Sequence, residues 1–217
     1  MQTGRFITFE GGEGSGKSTQ ASKLAERLRA GGIDVLLTRE PGGSPFAEQV
    51  RGLLLGGTLA PHPPLAEALL FSAARADHLA SAIRPALAAG RWVICDRFAD
   101  STRVYQGAAG GVPDAELDAL ERLVVGATAP DLTLILDIEA RAGLARATSR
   151  REAIEGSEID PFESRALAFH EKLRAGYLDI ARREPQRCAV IAADADADTI
   201  AARIWTLVDA RLGRGCA

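Results

Sequence analysis

The 217-residue chain contains no asparagine. It therefore has no N-x-[ST] glycosylation acceptor, and it cannot supply the N-K-x-D element with which a GTPase reads its base. Lysine is nearly as rare: it stands only at positions 17, 23 and 172, and every other basic residue is arginine. A lysine in so arginine-rich a chain points to a demand specific to its site. The three cysteines, Cys95, Cys188 and Cys216, are scattered and odd in number, which gives neither a disulfide framework nor zinc-ligand spacing. No apolar run reaches the roughly 18 residues of a membrane span, and the start of the chain lacks the pattern of a secretory signal. The formal charge of −3 leaves no basic stripe for a polynucleotide. These absences predict a protein of the cytoplasm, in reducing conditions, with neither membrane nor nucleic-acid polymer as partner. The length suits one domain spanning 1–217.

Short apolar runs alternate with longer amphipathic stretches, the pattern of βαβ units around a parallel sheet. Five strands are predicted over 5–9, 34–38, 92–96, 132–137 and 188–193, each hydrophobic enough to be buried on both faces. Helices are predicted over 17–30, 46–55, 64–89, 114–126, 139–151, 162–183 and 196–212. Two stretches interrupt the alternation. Residues 56–64 are rich in turn formers, and 146–163 are charged and broken by Gly156 and Pro161. Composition alone reads the second as a solvated loop. The alternative is a lid, since long polar insertions in α/β enzymes often close over a site.

Residues 11–18 read GGEGSGKS, a full match to G-x-x-x-x-G-K-[ST], between a predicted strand and a predicted helix. Glycines let the backbone turn its N–H groups inward, and the helix start adds positive potential, so the loop cradles phosphate. Gly11, Gly12, Glu13, Gly14, Ser15, Gly16, Lys17, Ser18 and Thr19 are the expected ATP-binding set. Lys17 would reach the terminal phosphates and the Ser18 hydroxyl would ligate Mg²⁺. Glu13 is the odd member: a carboxylate in an anion-holding loop, which by itself reads as a solvent-facing residue.

A second phosphate site is suggested downstream. Asp96 ends an apolar run, where a carboxylate can hold the Mg²⁺ shell; Asp137 ends another and competes for that role. Arg97 follows directly, and its fork suits a phosphate, although an Asp96–Arg97 ion pair would also account for it. Phe71 and Arg75 share a helix face and suit a stacked base with a paired polar edge. Arg39, Glu40 and Arg51 follow the second strand, and Ser101, Thr102, Tyr105 and Gln106 add hydroxyl and amide groups. Each has an ordinary structural explanation. Their common location beyond strand ends favours a second nucleotide.

FEGGEGSGKST, TREPGG, FSAAR and DRFADSTRVYQG, in this order and spacing, closely resemble the bacterial thymidylate kinase family, and the likeness continues to FHEKLRAGYL at 169–178. The resemblance implies a P-loop nucleoside-monophosphate-kinase α/β fold, a five-stranded parallel sheet flanked by helices, with a mobile lid at about 141–163. It implies phosphoryl transfer from ATP with Mg²⁺ to dTMP, and a homodimer. Phe71 would stack on thymine, with Arg75 and Gln106 at the base edge. Arg39 and Arg97 would hold the acceptor phosphate, supported by Arg51, while Ser101, Thr102 and Tyr105 finish the pocket. Glu13 would accept a hydrogen bond from the 3′-hydroxyl of dTMP.

Members of that family carry an arginine either in the P-loop or in the lid. This chain has Gly14 in the loop and Arg146, Arg150 and Arg151 in the lid segment, which resembles the lid-arginine design. Lys17, Arg97, Arg146 and Arg150 are the catalytic candidates. Gly110 stands where relatives often carry an arginine. His62, His78 and His170 share no motif and are expected to be ordinary packing or surface residues.

Overall fold

The computed structural model describes residues 4–56, 59–152, 162 and 165–213. Five strands, β1 (Phe6–Glu10), β2 (Val35–Arg39), β3 (Trp92–Asp96), β4 (Leu132–Asp137) and β5 (Cys188–Ala192), form one parallel sheet in the order β2-β3-β1-β4-β5. All five were predicted to within one residue at either end. Every residue of β1 is buried, as its central position requires. The register sets Phe9 beside both Asp96 and Leu134. The carboxyl ends of β1, β3 and β4 therefore end together, where the strand order reverses and open α/β sheets bind ligands.

Both faces of the sheet are covered. On one, α1 (Lys17–Ala30) and α9 (Ala197–Leu212) pack Leu24, Leu28, Ile204 and Val208 against Ile7, Phe9 and Leu134. On the other, Phe6, Val93 and Phe98 meet Leu79 and Ile83, while Ile135 meets Leu173 and Tyr177 of α8 (Leu167–Arg183). Helix ends follow local chemistry. Ser44 caps α2 (Pro45–Leu55), and Asp196 caps α9 by accepting from the backbone N–H groups of Asp198 and Thr199.

Three differences from the predicted helices have physical causes. The helix predicted over 64–89 is present as α3 (Pro64–His78), a π-helical turn over Leu79–Ile83 and α4 (Arg84–Ala88). Pro85 has no N–H to give to the Ser81 carbonyl, and the widened turn sits just before it. A helical segment not foreseen, α5 (Ala99–Thr102) continued by a π turn over Arg103–Ala108, follows β3. It packs on α8 at Gly176, where a β-carbon would stand 3.1 Å from that of Ala108. Asp100 ties it to the sheet through a two-pronged, partly buried pair with Arg187 (2.6 and 2.9 Å). Finally, α8 begins at Leu167 rather than 162. The remaining helices are α6 (Asp114–Val124) and α7 (Ala140–Glu152). Of the lid predicted at about 141–163, residues up to 152 lie in α7 and Phe162 is described, while 153–161 and 163 lie outside the described residues. Gly110 sits where any β-carbon would be 2.6 Å from the Gln106 carbonyl oxygen, so this backbone leaves no room for an arginine there.

Candidate active site

The loop between β1 and α1 turns through glycines with positive φ at positions 11, 14 and 16. Lys17 is buried, and its ammonium donates to the carbonyl oxygens of Gly11 (3.1 Å) and Gly12 (2.8 Å). Burial, aided by the nearby Arg97 charge, lowers its pKa to about 8 against the partial opposition of Glu13, Asp96 and Glu10. The ammonium is the form that attracts phosphate. We therefore expect kcat/KM for ATP, which reports the free protein, to fall as pH rises through about 8. Stability has the opposite sign. The folded chain disfavours protonated Lys17, a cost present in full below about 8 that disappears as pH approaches the ordinary lysine value of 10.5. A pH–rate profile for ATP that stays flat to pH ~9.5 would contradict this assignment.

Gly14 explains why this loop carries no arginine. A β-carbon there would lie 1.9 Å from the Gly143 carbonyl oxygen on α7, and one on Gly143 would lie 2.4 Å from the Glu13 carbonyl oxygen. The phosphate loop and α7 thus meet backbone to backbone, and a side chain on either glycine would separate them. Any catalytic arginine must come from another element.

The Ser18 hydroxyl makes a short hydrogen bond to Oδ2 of Asp96. Oδ1 of Asp96 is buried with no hydrogen-bond partner among the described residues. A hydroxyl and a carboxylate with an unused oxygen suit a hard divalent cation. Asp137, the competing carboxylate, is gripped at both oxygens by Arg174 (2.7 and 2.9 Å).

Beside the loop lies a cavity of about 300 Å³. Its lining includes Glu13, Gly14, Gly16, Lys17, Ser18, Thr19, Arg39, Arg51, Phe71, Arg75, Asp96, Arg97, Ser101, Thr102, Tyr105, Gln106 and Arg150. Most residues singled out from the sequence therefore converge on one space. Gly11, Gly12 and Ser15 build the loop behind it, and the Ser15 hydroxyl donates to the Gly12 carbonyl oxygen (2.9 Å). Arg146 does not line this cavity; it donates to the Ala193 carbonyl oxygen just past β5 (2.8 Å). The Arg151 side chain lies outside the described residues.

Glu13 is not a solvent-facing residue. Its Oε1 accepts from Arg97 (2.6 Å) and from the Tyr105 hydroxyl (2.7 Å). Burial raises its pKa, but Arg97, Lys17 and the Tyr105 hydrogen bond outweigh that and hold it at about 2. Arg97 has the left-handed φ of 68°, the only positive φ outside glycine among the described residues. Its guanidinium sits over the Tyr105 ring, 5.0 Å from the centroid, and also reaches Ser101 and Tyr177. Burial works against its charge, yet Tyr105, Glu13, Tyr177 and Asp96 together hold its pKa well above the ordinary value.

Sequence reasoning missed the support beneath this pair. Glu10, fully buried, accepts from the Phe98 N–H (2.8 Å), the Ser101 hydroxyl (2.6 Å) and the Tyr177 hydroxyl (3.1 Å). Burial and the Asp100 charge raise its pKa to about 7. A carboxylate closing an apolar central strand was the available signal. Phe162 was missed too; it lines the cavity and meets the Tyr105 ring edge-on at 5.5 Å. On the opposite wall, Arg75 gives its Nε to Glu40 (2.6 Å) and another nitrogen to Thr102 (3.2 Å). Glu40 in turn meets His78, whose other ring nitrogen meets Thr38. His78 is a packing residue with no exposure, as expected, but it also completes the shell that aims Arg75.

A phosphate loop at the reversal point of a 2-3-1-4-5 parallel sheet, forming one side of an arginine-lined and aromatic cavity, defines a P-loop kinase of small phosphorylated acceptors. Comparison with known proteins is more specific. The thymidylate kinase family model matches residues 9–204. The chain is 57% identical over 213 residues to the thymidylate kinase of Caulobacter vibrioides, covering 98% of this chain and 100% of that one. It is 55% identical over 210 residues to that of Nitrobacter winogradskyi, covering 97% and 90%. The crystal structure of the Ehrlichia chaffeensis thymidylate kinase superposes with a TM-score of 0.77 at 34% identity, covering 95% and 99%. The chain belongs to the thymidylate kinase family.

Proposed function

We propose that this protein transfers the γ-phosphoryl group of ATP to dTMP, giving ADP and dTDP. The observation that carries this reading is the contact between loop and acceptor residues: Glu13 belongs to the phosphate loop and is bonded to Arg97 and Tyr105 across the same cavity. Donor and acceptor would thereby be held against one another, which is most of what phosphoryl transfer requires. The test is turnover with ATP across dTMP, dCMP and thymidine. dTMP should be the preferred acceptor, and faster turnover of either of the others overturns the reading.

In this scheme Lys17 and the loop N–H groups hold the β- and γ-phosphates. Ser18 and Asp96 would hold Mg²⁺, which when bound neutralises charge on those phosphates. Phe71 stacks on thymine, Arg75 and Gln106 meet its edge, and Arg97 and Arg39 take the acceptor phosphate with Arg51 in support. Ser101, Thr102 and Tyr105 close the pocket around the sugar. The hydrogen bonds of Glu13 to Arg97 and Tyr105 fall on Oε1, so Oε2 would be the atom to accept from the 3′-hydroxyl. Charged hydrogen bonds contribute about 1.5–3 kcal/mol, so Glu13→Ala should raise the KM for dTMP by roughly tenfold or more and the KM for ATP by much less. A larger change in the ATP requirement would contradict this role. Of the lid arginines, Arg150 is the catalytic candidate because it lines the cavity, whereas Arg146 reaches the end of β5.

We further infer a homodimer, supported by large apolar side chains exposed on two helices packed together: Phe46 and Leu53 on α2, Leu65 and Leu69 on α3. Light scattering should give twice the chain mass, and a Phe46→Glu/Leu69→Glu variant should give the single mass. A monomeric wild type removes the inference. A single domain over 1–217 and a cytoplasmic setting are proposed likewise. The continuous sheet supports the first; free thiols at Cys95 and Cys188 and the lack of a membrane-length apolar helix among the described residues support the second.

A further inference from the structure

Glu67, Phe71 and Arg75 stand four residues apart along one face of α3. Phe71 and Arg75 line the acceptor cavity, and Glu67 reaches the cavity's far wall through Gln106. Oε2 of Glu67 accepts from Nε2 of Gln106 at 3.1 Å. Its Oε1 accepts from an Arg165 nitrogen at 3.4 Å, with His62 Nε2 3.2 Å away, so the carboxylate is held on its other side by Arg165. Gln106 is 1% exposed and lines the cavity, and its amide oxygen has no hydrogen-bond partner among the described residues.

A glutamine amide can be turned either way, with its oxygen and nitrogen exchanged, unless a neighbour decides. A carboxylate has no hydrogen to give, so Glu67 can only face the amide nitrogen. The oxygen of Gln106 is then the end left for a ligand. Arg75, with no acceptor atoms, offers only donors to the same cavity. Thymine presents an O4 acceptor and an N3–H donor along this edge, whereas cytosine presents an amino donor and an N3 acceptor. Donor-only Arg75 and an oxygen-forward Gln106 therefore match thymine at both positions and oppose cytosine at both.

Resting on the proposed dTMP reading, we propose that Glu67 is a specificity-determining positioning residue: it locks the Gln106 amide oxygen-forward, so that the site accepts an N3–H and rejects an N3 lone pair. Glu67 itself touches no reacting atom. Its effect is selective, because a lock on amide orientation matters only to the group at N3.

The test uses two ligands that differ at this edge but both keep O4: dTMP, and 2′-deoxy-5-methylisocytidine 5′-monophosphate, whose N3 carries a lone pair. Binding of each to the purified protein is measured by calorimetry for wild type, Glu67→Met and Glu67→Gln. Methionine fills the space with no strong acceptor and frees the amide; the ratio of Kd values favouring dTMP should fall by about tenfold, the size of one hydrogen bond's discrimination. Glutamine at 67 can pair with either orientation, so the ratio should fall by at least about threefold. General damage to the pocket would weaken both ligands together. A ratio within about twofold of wild type in whichever variant remains folded overturns the proposal. A wild type that fails to bind dTMP overturns the functional reading instead, and the two failures are distinct.

Discussion

Arg150→Ala is expected to lower turnover of dTMP with ATP by about 10³-fold, the lower end of what an arginine placed on a transferring phosphoryl group contributes. Charge spreads over the equatorial oxygens as the group passes between nucleotides, and a guanidinium aimed at them stabilises the transition state more than either ground state. The phosphate loop cannot supply that group itself, because Gly14 is pressed against Gly143 with no space for a β-carbon. The same contact fixes α7, and about two turns beyond Gly143 the helix brings Arg150 to the cavity wall. The affinity for dTMP should change little, so the loss is expected in kcat rather than in KM. Single-turnover and steady-state kinetics on the variant decide this. An Arg150→Ala protein within about tenfold of wild type, with Arg146→Ala far worse, would move the role to Arg146.

Lys17→Ala is expected to reduce turnover by at least ~10²-fold, the effect of removing one donor aimed at developing charge. Without nucleotide, the ammonium is held by the carbonyl oxygens of Gly11 and Gly12, inside the loop and already desolvated. Phosphate oxygens would replace these neutral acceptors with charged ones, so bound ATP should raise the lysine pKa above about 8 and preserve the charge during turnover. The variant should bind ATP more weakly and respond less to dTMP. Unchanged turnover removes Lys17 from the mechanism.

The strands and the phosphate loop were legible because both are written locally: continuous apolar runs between turn formers, and glycines at fixed offsets. The convergence of Arg39, Arg51, Phe71, Arg75, Arg97 and Gln106 was legible from the residues as a shared position beyond strand ends, and as a single pocket only through the family resemblance. Hidden features depended on contacts between distant segments. The helix over 99–108 is rich in polar and β-branched residues, with little helical signal of its own; packing on α8 and the Asp100–Arg187 pair hold it. Glu10 reads as the polar end of a strand until its donors arrive from α5 and from Tyr177, 167 residues on. The division of labour between Asp96 and Asp137 was open in the sequence. Arg174, on a helix that starts thirty residues after β4, explains why Asp96 is the better candidate for the metal.

Glu13 joins these levels. As a letter in the loop it reads as an exposed acid among phosphate-binding groups, and in the fold it is the bond between the loop and Arg97. The most direct measurement of that joined arrangement is ³¹P NMR of the purified protein with ATP, Mg²⁺ and dTMP. ADP and dTDP should appear in equal amounts, with negligible ADP when dTMP is left out. ADP released at the same rate without dTMP, or no dTDP when it is present, would contradict the account.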